Sequence, residues 1–127
     1  MDIANMIICL LLIHWLADFV FQRNVDAQNK WHSNLALLKH TLMYSAVFIL
    51  FTVCMMDGYW NQINHTGLVW FFIVVCVTHF AIDRFTSIIV HNLYKQEDHH
   101  NMFVIIGLDQ FLHTAIMINC LKVLVYQ

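Results

Sequence analysis

Leu68–Val90 reads LVWFFIVVCVTHFAIDRFTSIIV, an apolar run broken by His79, Asp83 and Arg84 and by the small hydroxyls of Thr78, Thr86 and Ser87. A helix crosses a bilayer core of ~30 Å with ~20 such residues, so this stretch is long enough to span. Working outward, three more runs of the same kind cover approximately Ile3–Phe21, Leu35–Met56 and Met102–Val125, with polar residues between them. Four crossings in a single domain, residues 1–127, follow. Lipid offers backbone amides no other partners, and four segments are too few and too long for a barrel. The expected fold is all-α, a four-helix transmembrane bundle.

Composition agrees. Of 127 residues, 61% are hydrophobic and 11% charged, and the mean hydropathy is +0.66, whereas soluble domains carry roughly 45–50% apolar and about 25% charged residues. This argues against a soluble enzyme. Six Lys and Arg against eight Asp and Glu give a formal charge of −2, which leaves no basic surface for a phosphate backbone and makes nucleic acid an unfavoured partner. Cys9, Cys54, Cys76 and Cys120 sit singly in apolar runs without a C-x-x-C pair and read as small hydrophobes. Asn64-His65-Thr66 fits a glycosylation sequon, a weak match. The first run lacks a basic start and a small-residue cleavage site, so it is expected to stay in the mature chain.

An even number of spans puts both termini on one side and the connections 22–34 and 91–101 on the other. Arg23, Lys30, Lys39, Arg84 and Lys95 fall in or nearest those connections, against Lys122 alone near the other face. The positive-inside rule makes the connections cytoplasmic, so both termini are expected on the opposite, outer face. Trp31, Tyr59, Trp60, Trp70 and Tyr126 fall near span ends and suit interfacial aromatic belts, with Trp15 deeper.

The informative residues are those a membrane excludes. His14 and Asp18 lie in the first span, His40 in the second, His79 and Asp83 in the third, Asp109 and His113 in the fourth. A charged group at a span centre costs ~2.5–3.5 kcal/mol on insertion scales, so seven must compensate one another. Helix rise puts Asp18, Asp83 and Asp109 roughly 6–11 Å below the connection face, His14, His79 and His113 roughly 12–17 Å, and His40 roughly 7–8 Å. Spans one and three read His-x-x-x-Asp, while span four, running the other way, reads Asp-x-x-x-His. Every carboxylate therefore lies on the same side of its histidine. The i, i+4 spacing puts both members of a pair on one helix face, and Tyr44 stands in the same relation to His40.

Imidazole with carboxylate and no thiolate suits divalent zinc, iron, manganese or nickel, zinc foremost. His14, Asp18, His40, His79, Asp83, Asp109 and His113 are the candidate ligands, and they outnumber the needs of one tetrahedral ion. A dinuclear site and a single ion with a carboxylate base both stay open, Asp18, Asp83 and Asp109 being the candidate catalytic groups. Gln22, Lys30, Tyr44 and Gln110 are candidates for contacting substrate or supporting the ligands.

The runs His14-Trp15-Leu16-Ala17-Asp18-Phe19-Val20-Phe21-Gln22, Asn29-Lys30, Leu37-Leu38-Lys39-His40-Thr41-Leu42-Met43-Tyr44, His79-Phe80-Ala81-Ile82-Asp83 and Asp109-Gln110-Phe111-Leu112-His113 cover nearly the whole chain. Together they resemble the integral-membrane family of bacteria and their phages catalogued as domain of unknown function 3307. The chain departs from that pattern in its many histidines and in Arg84, where a lysine a little further on is more usual. By looser analogy the residues are similar to the pattern of inner-membrane metal-dependent hydrolases, so the resemblance implies a hydrolase and, with the orientation above, a bacterial inner membrane with both termini periplasmic.

Blander readings stand beside these. The His/Asp pairs can form a structural network that fixes helix register, His40 can face head groups, and Gln110 can simply join two helices. Lys30 reads first as a positive-inside anchor and second as a phosphate or head-group ligand. Arg84 is expected to reach the interface. Asp98-His99-His100 with His91 has the composition of a metal tract, but a solvated loop has it too and is preferred. Three function classes remain: a metal-dependent hydrolase acting on a lipid or lipid-linked substrate, an ion or proton transporter, and a small membrane protein acting on a partner complex. Membrane lipid is the expected partner, with a homo-oligomer or a membrane protein partner as further expectations.

Overall fold

A computed structural model describes residues 3–55 and 64–124, and among them the chain is helical without strands. Helix α1, Ile3–Trp15, runs into a π-helical turn, Leu16–Val20. A short helix α2, Asn24–Asn29, follows, then the long helices α3, Asn34–Met55, α4, His65–Lys95, and α5, His99–Leu124. Tyr59, Trp60 and Tyr126 lie outside the described residues.

Three of these helices are long and apolar enough to cross a membrane, over Asn34–Cys54, His65–Lys95 and His99–Cys120. The first apolar helix is shorter, Ala4–Val20. The 31 residues of α4 amount to about 46 Å of helix, so it overshoots a ~30 Å hydrocarbon core.

Buried residues form a stripe along each of α3 and α4 at the i, i+4 interval. In α4 they are Gly67, Phe71, Val75, His79, Asp83 and Ser87, and in α3 Ala36, His40, Tyr44, Phe48 and Thr52. Each stripe turns from aromatic and aliphatic on the side of the chain termini to ionisable on the side of the connections. Met6, Leu10, Ile13, Tyr44, Phe48, Leu68, Phe71, Val75 and Met117 join in a single apolar cluster. Outside the stripes the surface is hydrophobic: Phe85 is 70% exposed, Phe103 67% and Phe111 65%. Water would not tolerate so much exposed apolar surface, whereas lipid does.

The connections are built from side-chain caps. Asn64 accepts a hydrogen bond from the Gly67 amide at 3.0 Å, so the sequon asparagine serves as the N-cap of α4. Ser33 does the same for the Ala36 amide at 3.2 Å. At the far end of α4, Glu97 takes a left-handed φ of 57°. Its amide donates to the Tyr94 carbonyl at 3.1 Å and that of Asp98 to the Leu93 carbonyl at 3.0 Å. This is a Schellman turn with glutamate where glycine is usual. Asp98 then caps α5, accepting from the Asn101 amide at 3.1 Å, so a short turn suffices to reverse the chain and lay α5 against α4.

Candidate metal centre

Asp18 enters the bundle from the π-helical turn, in which the Phe21 amide donates to the Leu16 carbonyl at 2.9 Å, an i to i−5 bond. Such turns are rare and occur often at functional sites. His40 comes from the second turn of α3, and His79 and Asp83 from successive turns of α4. These four are buried and offer ligand atoms that all lie within 4.8 Å of one another.

The His40 Nε2 is 3.1 Å from His79 Nε2, 3.1 Å from Asp18 Oδ1 and 3.0 Å from Asp83 Oδ2. His79 Nε2 is 3.6 Å from Asp18 Oδ1 and 3.7 Å from Asp83 Oδ2. Four ligands about 2.0–2.1 Å from a tetrahedral ion stand about 3.3–3.4 Å apart. The five distances bracket that value. Asp18 Oδ1 is buried with no hydrogen-bond donor directed at it, so lone pairs converge there without being paired. The Nδ1 atoms of His40 and His79 are likewise buried without partners, which leaves Nε2 as the engaged nitrogen of both rings.

A second group adjoins the first. The other oxygen of Asp83, Oδ1, is 3.3 Å from His113 Nε2, which is 3.5 Å from Asp109 Oδ2. Asp83, Asp109 and His113 thus form a buried trio within coordinating reach of one another. The hydroxyl of Thr86 meets Asp109 Oδ1, a contact with no cue in the sequence beyond its position three residues after Asp83.

His14 stands in neither group. Its Nδ1 lies 2.9 Å from the Tyr44 hydroxyl and its Nε2 3.2 Å from Gln110 Oε1. The Gln110 oxygen can only accept, so Nε2 of His14 carries the proton and Nδ1 accepts from Tyr44. The Gln110 amide nitrogen donates to Asp18 Oδ2 at 2.9 Å and to Asp109 Oδ2 at 3.0 Å. One glutamine therefore ties α1 and its π-helical extension to α5 and steadies two carboxylates. The Tyr44 ring stacks on His79 at 3.8 Å, and His113 stacks on His79 from its own helix at 4.3 Å.

Lys30, at the end of α2, reaches inward to place Nζ 2.8 Å from Asp83 Oδ2. Burial pulls the Lys30 pKa down, but Asp83 and then Asp18 pull it up further, and the net shift is upward. The ammonium stays charged and is not a free head-group anchor. Arg84 points the other way, donating to the Trp31 carbonyl at 3.1 Å.

A cavity of about 520 Å³ opens beside this centre. Asp18, Lys30, Asp109 and Gln110 give its polar side, Phe19, Val90, Met102 and Ile106 apolar walls, and Gln22, Trp31, His91 and Tyr94 are among the other lining residues. Gln22 lines the cavity with its amide nitrogen buried and unpaired. In the opposite direction Tyr44, Phe48, Phe71 and Met117, all buried, close the bundle.

The loop tract does not assemble. His91 stacks on Trp31 at 3.6 Å with Lys95 above the indole at 5.4 Å, His99 packs against Tyr94, and Asp98 is taken up by Asn101. The four cysteines are free thiols.

No curated protein and no solved structure matches this chain. A family model does, over residues 6–127, which is essentially the full length. The chain belongs to the family described as "Protein of unknown function (DUF3307)".

Proposed function

We propose that this is a membrane-embedded metal-binding protein that uses its ion to hydrolyse a lipid or lipid-linked ester. The observation that carries the reading is the convergence of Asp18 Oδ1, His40 Nε2, His79 Nε2 and Asp83 Oδ2 inside the bundle, all within 4.8 Å of one another. Charge supports it. Asp18, Asp83 and Asp109 face one ammonium, that of Lys30, so with neutral imidazoles the core lacks two positive charges. One divalent cation supplies them, and buried charge without compensation is costly. Zinc is favoured by the nitrogen and oxygen donors, with iron, manganese and nickel compatible.

A cation bound there supplies Lewis-acid activation of water or of an ester oxygen. The protein's own groups complete the arrangement. Asp109 borders the cavity and is the group placed to accept a proton from water, while Asp18 and Asp83 hold the ion and Gln110 fixes two carboxylates. The apolar walls suit an acyl or prenyl chain beside a polar head. We place four crossings in the membrane, the cavity facing the cytoplasmic leaflet of a bacterial inner membrane and both termini periplasmic, on the bias of Lys and Arg toward the connections. Transport fits less well, because the ionisable groups stop at the level of Tyr44, and beyond Phe48 the polar side chain buried among the described residues is Thr52.

The test is turnover of lipid phosphoesters and carboxylic esters in mixed micelles by protein loaded with zinc or manganese, beside Asp109→Asn. Turnover lost in the variant supports hydrolysis. Ion flux into proteoliposomes without turnover moves the protein to the transporter class, and neither activity leaves a structural or partner-binding role.

A further inference from the structure

We propose that Asp83, Asp109 and His113 form a second divalent-cation site, so that the centre is dinuclear with Asp83 as the shared ligand. The inference rests on the metal-binding reading of the first site and extends it.

The two oxygens of Asp83 are directed at different groups of ligands. Oδ2 faces His40 at 3.0 Å and Oδ1 faces His113 at 3.3 Å. A carboxylate so divided is placed to bridge two cations. The residues of the second site come from facing turns of α4 and α5, the most extensively packed pair of helices, so their spacing is held by the Schellman turn and the Asp98 cap that join them.

The sites differ in closure. The first has four protein ligands, the number that fills a tetrahedral ion, so an ion there would take water or an ester oxygen only as a fifth ligand. The second has three, among them Asp109, which borders the cavity and in a dinuclear centre serves as a ligand in place of the proton acceptor proposed above. Three protein ligands with a position left toward a cleft is the arrangement of catalytic ions. Thr86 on Oδ1 of Asp109 and the Gln110 amide on its Oδ2 fix that carboxylate from both sides, as supporting residues do for metal ligands. A cation pair also narrows the substrate class. Paired ions clamp the attacking and leaving oxygens of an in-line displacement, which among the lipid and lipid-linked esters proposed above favours a phosphate ester.

Detergent-purified full-length protein, stripped with chelator, reloaded with Mn²⁺ and desalted, tests the proposal by metal analysis and electron paramagnetic resonance. Two ions per chain with a spin-coupled spectrum are expected. His113→Ala and Asp109→Asn should each keep one ion and show an uncoupled signal, and Asp83→Asn should reduce both. One ion per chain with an uncoupled spectrum in the parent overturns the second site and leaves the first standing. No bound ion overturns both. Because the parent spectrum alone decides between one ion and two, a variant that fails to fold does not blunt the test.

Discussion

Lys30 Nζ and Asp83 Oδ2 lie 2.8 Å apart, which brings an ammonium from outside the spans onto a carboxylate that is also positioned to hold an ion. Lysine and cation thus act on one oxygen. Replacing Lys30 by Met removes a charge-assisted bond and leaves Asp83 short of compensation, a loss of about 1–3 kcal/mol. In thermal unfolding in detergent, Lys30→Met is expected to melt below the parent when chelator is present, and excess zinc to close most of the gap. A gap indifferent to zinc would separate Lys30 from the metal centre.

Gln110 is the tie between α1 and α5, contacting His14, Asp18 and Asp109. Substitution by Leu keeps the volume and deletes all three bonds. Losses of supporting contacts typically cost about 10–100-fold in metal affinity. Competition against a chromophoric chelator is expected to show a fall in that range for Gln110→Leu, and unchanged affinity would assign Gln110 to helix packing alone.

Tyr44 has two separable roles. Tyr44→Phe retains the stack on His79 and deletes the hydroxyl that meets His14, at a cost of about 1–3 kcal/mol for the buried nitrogen left unpaired. Tyr44→Ala also opens a cavity, and Phe to Ala changes in cores cost about 3–5 kcal/mol. Chemical denaturation should rank parent, Phe, Ala in falling stability, with metal content kept in the Phe variant because Tyr44 is not a ligand.

Asp98 reports on pH outside the membrane. The Asn101 side-chain amide, then its backbone N–H, hold the Asp98 carboxyl below its ordinary value of 3.8. A carboxyl depressed on folding stabilises the fold fully above that value and loses the contribution as pH falls through its lower folded pKa. Hydrogen exchange at Asn101 and Met102 is expected to quicken, relative to the intrinsic rate, in Asp98→Ala, and in the parent only once pH drops below 3.8. Equal protection in parent and variant at neutral pH would remove Asp98 as the cap of α5.

Much of the centre was legible because it rests on local rules. An i, i+4 pair on a helix shares a face whatever the tertiary structure, and the apolar surroundings leave His79 with Asp83, or Asp109 with His113, no other place than the bundle interior. The same rules single out the six residues of the two ligand groups. They place His14 among them as well, whereas Tyr44 and Gln110 occupy both of its ring nitrogens. The π-helical turn at Leu16–Val20 carries no glycine or proline to announce it, and nothing in Asn24–Asn29 marks a helix by apolar period. Lys30 was legible as a charge near the interface, but its reach to Asp83 depends on how α2 folds back over the spans, which no spacing encodes.

Elemental analysis of the protein purified in detergent without chelator, side by side with His79→Ala, bears most directly on the metal centre. At least one divalent ion per chain in the parent, sharply reduced in a His79→Ala protein of unchanged helix content, is the expected result. A folded parent protein that carries no divalent ion, and takes up none when zinc or manganese is supplied, would show that the buried imidazoles and carboxylates neutralise one another and hold nothing else.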